Sequence, residues 1–111
     1  MTFVNGTTSP EYIAPEIFGK QRFKKDADIY AFGVSMLETM IMKTAFPKSQ
    51  FKYPWQIITF INDGNRPNTI NLIGNQTIKH IIEIAWSQNP IKRPNINDII
   101  IQLENELIKL K

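Results

Sequence analysis

From Asp26 to Met42 the chain reads DADIYAFGVSMLETMIM, and polar positions almost vanish from the pattern. Ala27, Ile29, Tyr30, Ala31, Phe32, Val34, Met36, Leu37, Met40 and Ile41 fall on nearly every side of a helix. Asp26 reads as the N-cap, and Ala27 to Met42 holds no proline and a single glycine, Gly33. A helix that is apolar all round is buried all round, in a protein core or in a bilayer. Asp28 and Glu38 lie inside the run, and about 17 residues is the lower limit for a membrane span. The stretch is therefore expected to be a central core helix with the rest of the chain wrapped around it. Asp28, near its start, is where the helix dipole favours a carboxylate, and a solvated acid is its simplest reading.

The flanking segments divide into short helices and polar connectors. Residues 1–12 are rich in small polar types (Asn5, Gly6, Thr7, Thr8, Ser9, Pro10) and predict an exposed loop. Ala14 to Gly19 predicts one helical turn, with Pro15 at its first position and Gly19 ending it. After the central helix, Lys43 to Tyr53 is a loop mixing lysines with Phe46, Phe51 and Tyr53. Pro54 then opens a helix with Trp55, Ile58 and Ile61 or Asn62 on one side, stopped by Gly64. Ile78, Ile81, Ile82, Ala85 and Trp86 follow the i, i+3, i+4, i+7, i+8 rule for another helix, which Asn89-Pro90 ends. Asn95 caps the last one, with Asp98 in capping-box position and Ile96, Ile100, Leu103, Leu107 and Leu110 on its expected apolar side. Isoleucine-rich runs such as IIEIAW would be strands on propensity alone. Periodicity overrides propensity, and the predicted class is all-α in a single unit spanning residues 1–111.

Composition narrows the chemistry. At 42% hydrophobic and 21% charged residues, the 111-residue chain has the make-up of a globular domain. With no cysteine and one histidine, disulfides, thiolate metal sites and zinc sites are not expected. Residues 1–12 lack the apolar run of a signal peptide, so an intracellular, cytoplasmic setting is the expectation. The net charge of +3 is spread out apart from Lys20, Arg22, Lys24 and Lys25, which read as a solvated loop. No recognition motif accompanies that run, so neither a nucleic-acid partner nor a membrane is expected.

Several elements in one order resemble the C-terminal lobe of a eukaryotic protein kinase of the tyrosine-kinase-like Ser/Thr group. Tyr12-Ile-Ala-Pro-Glu16 is similar to the Ala-Pro-Glu motif that closes the activation segment. Asp28-Ile-Tyr-Ala-Phe-Gly33 resembles the start of the family's central helix. Gly64-Asn-Arg66-Pro67 and Trp86-Ser-Gln-Asn-Pro90-Ile-Lys-Arg93-Pro94 resemble the closing helices. The likeness runs from about Gly6 to Leu107 and implies a partial kinase domain, from the activation segment to the final helix.

The resemblance also implies roles. Glu16 would pair with Arg93, and Asp28 would accept backbone hydrogen bonds from the catalytic loop. Trp86 would anchor the closing helices, and Ser9, Pro10, Glu11 and Tyr12 would form the floor under a peptide substrate. Gly6-Thr7 stands two residues further from Tyr12 than in kinases acting on Ser/Thr, while Glu11-Tyr12 departs from the lysine-tryptophan of the tyrosine-specific pattern. Ser/Thr specificity is the reading for the parent enzyme. Within these 111 residues there is no Gly-rich loop, no Val-Ala-Ile-Lys strand, no His-Arg-Asp loop and no Asp-Phe-Gly. Phosphoryl transfer depends on positioning ATP, magnesium and the acceptor hydroxyl. No catalytic, cofactor-binding or metal residue is therefore assigned. ATP and Mg are implied for the complete parent kinase alone, and the isolated chain is expected to be inactive. The implied partners are a protein substrate or the missing kinase lobe. A non-catalytic interaction module, docking through Phe46 to Trp55 and the adjoining helix, is the alternative from another class.

Overall fold

The computed structural model describes residues 10–18, 24–69 and 76–109, and every regular element among them is helical. A 3₁₀ turn at Pro10–Tyr12 leads into the short α1, Pro15–Phe18, which has proline at its first position. Gly19 lies outside the described residues. Next come α2 (Lys24–Ile41), α3 (Pro54–Asn62), α4 (Gln76–Ala85), a second 3₁₀ turn at Pro90–Lys92, and α5 (Ile96–Lys109).

The central helix α2 begins two residues before Asp26, which sits in its first turn rather than capping it. Its buried positions are Ile29, Tyr30, Gly33, Val34 and Leu37, one broad face generated by i, i+4, i+8 and i+1, i+5 spacing. Asp28, Ser35, Thr39 and Met40 are exposed. This corrects the all-round burial expected from the sequence. Among the described residues, neighbours pack on part of the helix, and an apolar pattern cannot bury a side that nothing covers.

Two apolar clusters meet on α2. The larger joins Tyr30, Val34 and Leu37 to Ala14, Phe46, Ile57, Ile61, Ile82 and Trp86. In the smaller, Ile29 packs with Ile81, Ala85 and Ile99, flanked by half-buried Phe32, Met36 and Leu103. Closest to α2 is α4. A Cβ built on Gly33 would stand 3.0 Å from the Ala85 Cβ, so this glycine permits the approach of the two backbones.

Local chemistry sets the ends of the elements. Met42 ends α2 in a left-handed conformation, φ 58°. Pro47 O accepts from Gln50 N and Phe51 N at 3.0 and 2.9 Å, folding the connector back. Phe46, Phe51 and Phe60 then close on one another edge-to-face, with centroids 5.0 to 6.5 Å apart. Gly64, φ +92°, terminates α3 and donates to Ile61 O, while Asn65 N reaches Phe60 O. Asn95 Oδ1 accepts from Asp98 N at 2.9 Å and caps α5.

Two helices bury faces that match the sequence reading only in part, at Ile61 of α3 and half-buried Leu103 of α5. On α3 the buried residues are Ile57 and Ile61, and Trp55 is 60% exposed. On α5 Ile99 is buried, whereas Ile96, Ile100, Ile101, Leu107 and Ile108 are all exposed, and Leu110 is outside the described residues. The isoleucine-rich α5 offers more than one apolar stripe, and contact with α4 selects the one containing Ile99.

The Gly33 contact and the Met42 conformation can be tested as an opposed pair. Gly33→Ala should lower unfolding stability by ~1–3 kcal/mol through overpacking against Ala85. Met42→Gly should raise it by ~1 kcal/mol by relieving the left-handed backbone. Urea denaturation of both variants is the measurement; a neutral Gly33→Ala would contradict the close approach of α2 and α4.

Candidate functional site

The site is assembled from the segment Pro10–Phe18, the interior of α2 and the turn before α5. Glu16, in α1, and Arg93, after the second 3₁₀ turn, are 77 positions apart in sequence. Arg93 Nη1 donates to Glu16 Oε2 at 2.7 Å and Nη2 to Oε1 at 2.8 Å, a two-pronged charged contact. Their side chains are 0% and 5% exposed. Arg93 Nη1 also reaches Asp26 O at 2.9 Å, and Nε reaches Ser87 O at 3.0 Å. One guanidinium thus ties α1, the first turn of α2 and the end of α4 together.

A second guanidinium lies close by. Arg66 Nε donates to Trp86 O at 2.8 Å, Nη1 to Asn65 O at 2.7 Å and Ile61 O at 3.2 Å, and Nη2 to Gln88 Oε1 at 2.7 Å. Burial lowers its proton affinity. Both guanidinium carbons lie near the Tyr30 ring, Arg66 at 5.3 Å and Arg93 at 5.2 Å from its centroid. Tyr30 is fully buried, and its hydroxyl has no hydrogen-bonding partner among the described residues. Burial pushes this phenol up to about 12, against the opposing pull of the two arginines. Trp86, 4% exposed, packs in the larger core cluster, and its carbonyl holds Arg66.

Glu38 organises the other end of α2. Its Oε1 accepts from the Tyr12 hydroxyl, and its Oε2 accepts from Ala45 N at 2.8 Å. The carboxylate therefore fastens both the Pro10–Tyr12 turn and the connector after α2. Tyr12 is pushed up to about 12, chiefly by the hydrogen bond to Glu38 and then by burial and the nearby carboxylates. An open depression of about 670 Å³ lies alongside, lined by Glu11, Tyr12, Ser35, Glu38, Lys43 and Thr44, among others.

The structure thus brings Glu16, Arg93 and Trp86 into one tied assembly and places Pro10, Glu11 and Tyr12 on a half-buried turn. Ser9 lies outside the described residues. Asp28 does not join the assembly: it is exposed, and its carboxylate has no partner among the described residues. Sequence reasoning missed Glu38 and Arg66 as site residues. Glu38 had one signal, a lone acid deep in an apolar helix, and Arg66 lies within the Gly64-Asn-Arg66-Pro67 motif.

A sequence profile described as protein tyrosine and serine/threonine kinase matches residues 3–103. The chain belongs to the protein kinase family, and its all-α fold is that of the family's C-terminal lobe. It is 34% identical over 99 residues to the probable serine/threonine-protein kinase gdt8 of Dictyostelium discoideum, covering 89% of this chain and 7% of that protein. To the serine/threonine-protein kinase WNK3 of Mus musculus it is 32% identical, over 83% of this chain and 5% of the relative. To the serine/threonine/tyrosine-protein kinase HT1 of Arabidopsis thaliana it is 28% identical, over 84% of this chain and 23% of the relative. The chain therefore spans a small part of the curated relatives it matches. No described helix is long and apolar enough to cross a membrane.

Two measurements probe the assembly. Arg93→Ala should cost ~3–5 kcal/mol of unfolding free energy, because it leaves Glu16 buried without its cation. Arg93→Lys should restore little of it, since an ammonium cannot reproduce the fork. Tyr30→Phe, which removes a hydroxyl without a described partner, should leave stability at neutral pH unchanged or higher.

The phenols set an alkaline limit. An unfolded tyrosine releases its proton near pH 10, whereas folded Tyr12 and Tyr30 hold theirs to about 12. Their contribution is fully present below pH 10 and is lost as pH rises through 12. Urea midpoints measured across this window should fall with pH, and less steeply in Tyr12→Phe and Tyr30→Phe.

Proposed function

We infer that this chain is the substrate-side part of a Ser/Thr protein kinase domain, whose parent activity is ATP-dependent phosphoryl transfer to protein Ser/Thr hydroxyls. The observation that carries the reading is the double fastening of the segment Pro10–Phe18. Glu38 holds it through Tyr12, and Arg93 holds it through Glu16. Transfer to a protein hydroxyl needs the acceptor peptide held still beside the phosphate donor, and a floor fixed at both ends provides that. In this reading Pro10, Glu11 and Tyr12, with Ser9 before them, form the peptide floor. Glu16, Arg93 and Trp86 keep it in place, and Asp28 awaits backbone donors from a catalytic loop outside these residues. WNK3 is described as a Ser/Thr kinase and gdt8 as a probable one, which supports that specificity.

In this reading the residues present hold neither ATP nor magnesium. The sequence supplies no Gly-rich phosphate loop and no Asp-Phe-Gly, and no group of three or more His, Asp or Glu among the described residues converges to hold a metal. The isolated chain is therefore proposed to be inactive, with nucleotide held by another part of a kinase domain.

Calorimetry of the purified chain with Mg-ATP should give no binding. A chimera in which residues 10–109 replace the matching segment of a related Ser/Thr kinase should phosphorylate a Ser/Thr peptide. Micromolar nucleotide binding by the chain itself would refute the first point. A folded chimera without transfer activity would refute the second.

A further inference from the structure

The outer edge of α3 carries a feature that the platform does not use. Tyr53 and Trp55 are 42% and 60% exposed, yet their rings are stacked, with centroids 4.4 Å apart and planes within 4°. Pro54 between them and the hydrogen bond from Tyr53 N to Gln56 Oε1, 2.8 Å, hold the pair in place. Lys52 Nζ lies 5.5 Å from the Tyr53 centroid. An indole presented this way has already given up its rotamer freedom, which is one of the costs of binding.

Trp55 also lines a groove of about 400 Å³, shared with Phe51, Gln56, Thr59, Phe60 and Asp63. Its aromatic floor is firm, because Phe51 and Phe60 pack edge-to-face at 5.0 Å against buried Phe46. Trp55, Thr59 and Asp63 are spaced four apart along one line of the helix, so the two ends of the groove are ~12 Å apart. Among the described residues, Asp63 is the one acid or base lining it, and its carboxylate has no partner there. Arg66 does not line the groove: its guanidinium donates to the carbonyls of Ile61, Asn65 and Trp86. At the opposite end, Lys52 beside the stack disfavours a basic guest.

We propose that this groove docks an extended segment of a partner protein, placing an apolar or aromatic side chain on Trp55 and Phe51 and an arginine on Asp63. Extended chain rises ~3.3 Å per residue, so side chains four apart span the ~12 Å between the two ends. Arginine suits the acidic end because its planar fork matches a carboxylate. The groove is thus polarised: it takes an apolar group beside Lys52 and a basic one at Asp63, and the order of the two side chains is part of the recognition. The proposal does not depend on the phosphoryl-transfer reading.

The test uses the 111-residue chain and short, dye-labelled peptides in a Gly/Ser background. One carries phenylalanine and arginine about four residues apart. The others place the two residues adjacent, or replace arginine with glutamate. Anisotropy reads affinity, and Trp emission reports the location, because Trp86 is buried and Trp55 is exposed. The spaced peptide should bind saturably and shift the emission to the blue, while the other two bind more weakly. Trp55→Ala should weaken binding about tenfold, as loss of an aromatic anchor does. Asp63→Asn should weaken it about two- to fivefold, the range of an exposed ion pair, and added salt should act likewise. Both positions are exposed, and circular dichroism verifies that the variants remain helical. Absence of saturable binding, or binding indifferent to spacing, charge and both substitutions, would overturn the proposal. So would self-association in ultracentrifugation that disappears in Trp55→Ala, because the groove would then belong to a second copy of the chain.

Discussion

The whole arrangement depends on one buried cation. The Arg93 side chain has no exposed surface, and a charge removed from water must be matched by a partner and by hydrogen bonds or the fold is strongly destabilised. Arg93 meets that condition by drawing on three separate stretches of chain: the Glu16 carboxylate, the Asp26 carbonyl at the start of α2 and the Ser87 carbonyl just past α4. The geometry of a guanidinium leaves little freedom in how these arrive. The two-pronged contact fixes the direction as well as the distance of α1 relative to the turn before α5.

The same device recurs around α2. Arg66 is satisfied almost entirely by carbonyl groups, while Arg93 has the Glu16 carboxylate, so two like-charged guanidinium groups can share the Tyr30 ring. Glu38 works from the other end of the helix, one oxygen for the Tyr12 hydroxyl and one for the Ala45 amide. Irregular segments that could not bury much apolar surface of their own are thus held by charged groups projecting from, or packed against, a regular helix. This accounts for a 3₁₀ turn of three residues, Pro10–Tyr12, keeping a defined position against α2.

Membership of the protein kinase family gives this pattern its meaning. The paired charges and the aromatic groove of α3 serve different parts of the surface. The first group braces the segment next to Ala14-Pro15-Glu16, and the second is built on the Phe46, Phe51 and Phe60 cluster and is open to solvent. Phe46, which the sequence placed in a loop, is buried beneath that groove, and Phe51 from the same loop lines it. The same small set of helices therefore carries both a braced edge and an aromatic recess.

Sequence by itself determined the helical class, the order of the helices and most of their ends. These rest on interactions within a few residues: the Asn95 cap, Pro54 opening α3, Gly64 closing it and the isoleucine periodicity of α4. Resemblance to a family suggested Glu16 and Arg93 as partners, which no local pattern could do across 77 positions. Tertiary structure alone decided which face of a many-sided apolar helix is buried. It chose Ile99 over Ile96 and Ile100 on α5, left Trp55 outside on α3, and uncovered Asp28 on α2. It also decided where the charges go, making fastenings of Glu38, an interruption in the apolar pattern, and of Arg66, one residue of a short motif. The reason is physical: caps and periodicity are settled by neighbours along the chain, whereas burial and the pairing of charges are settled by neighbours in space.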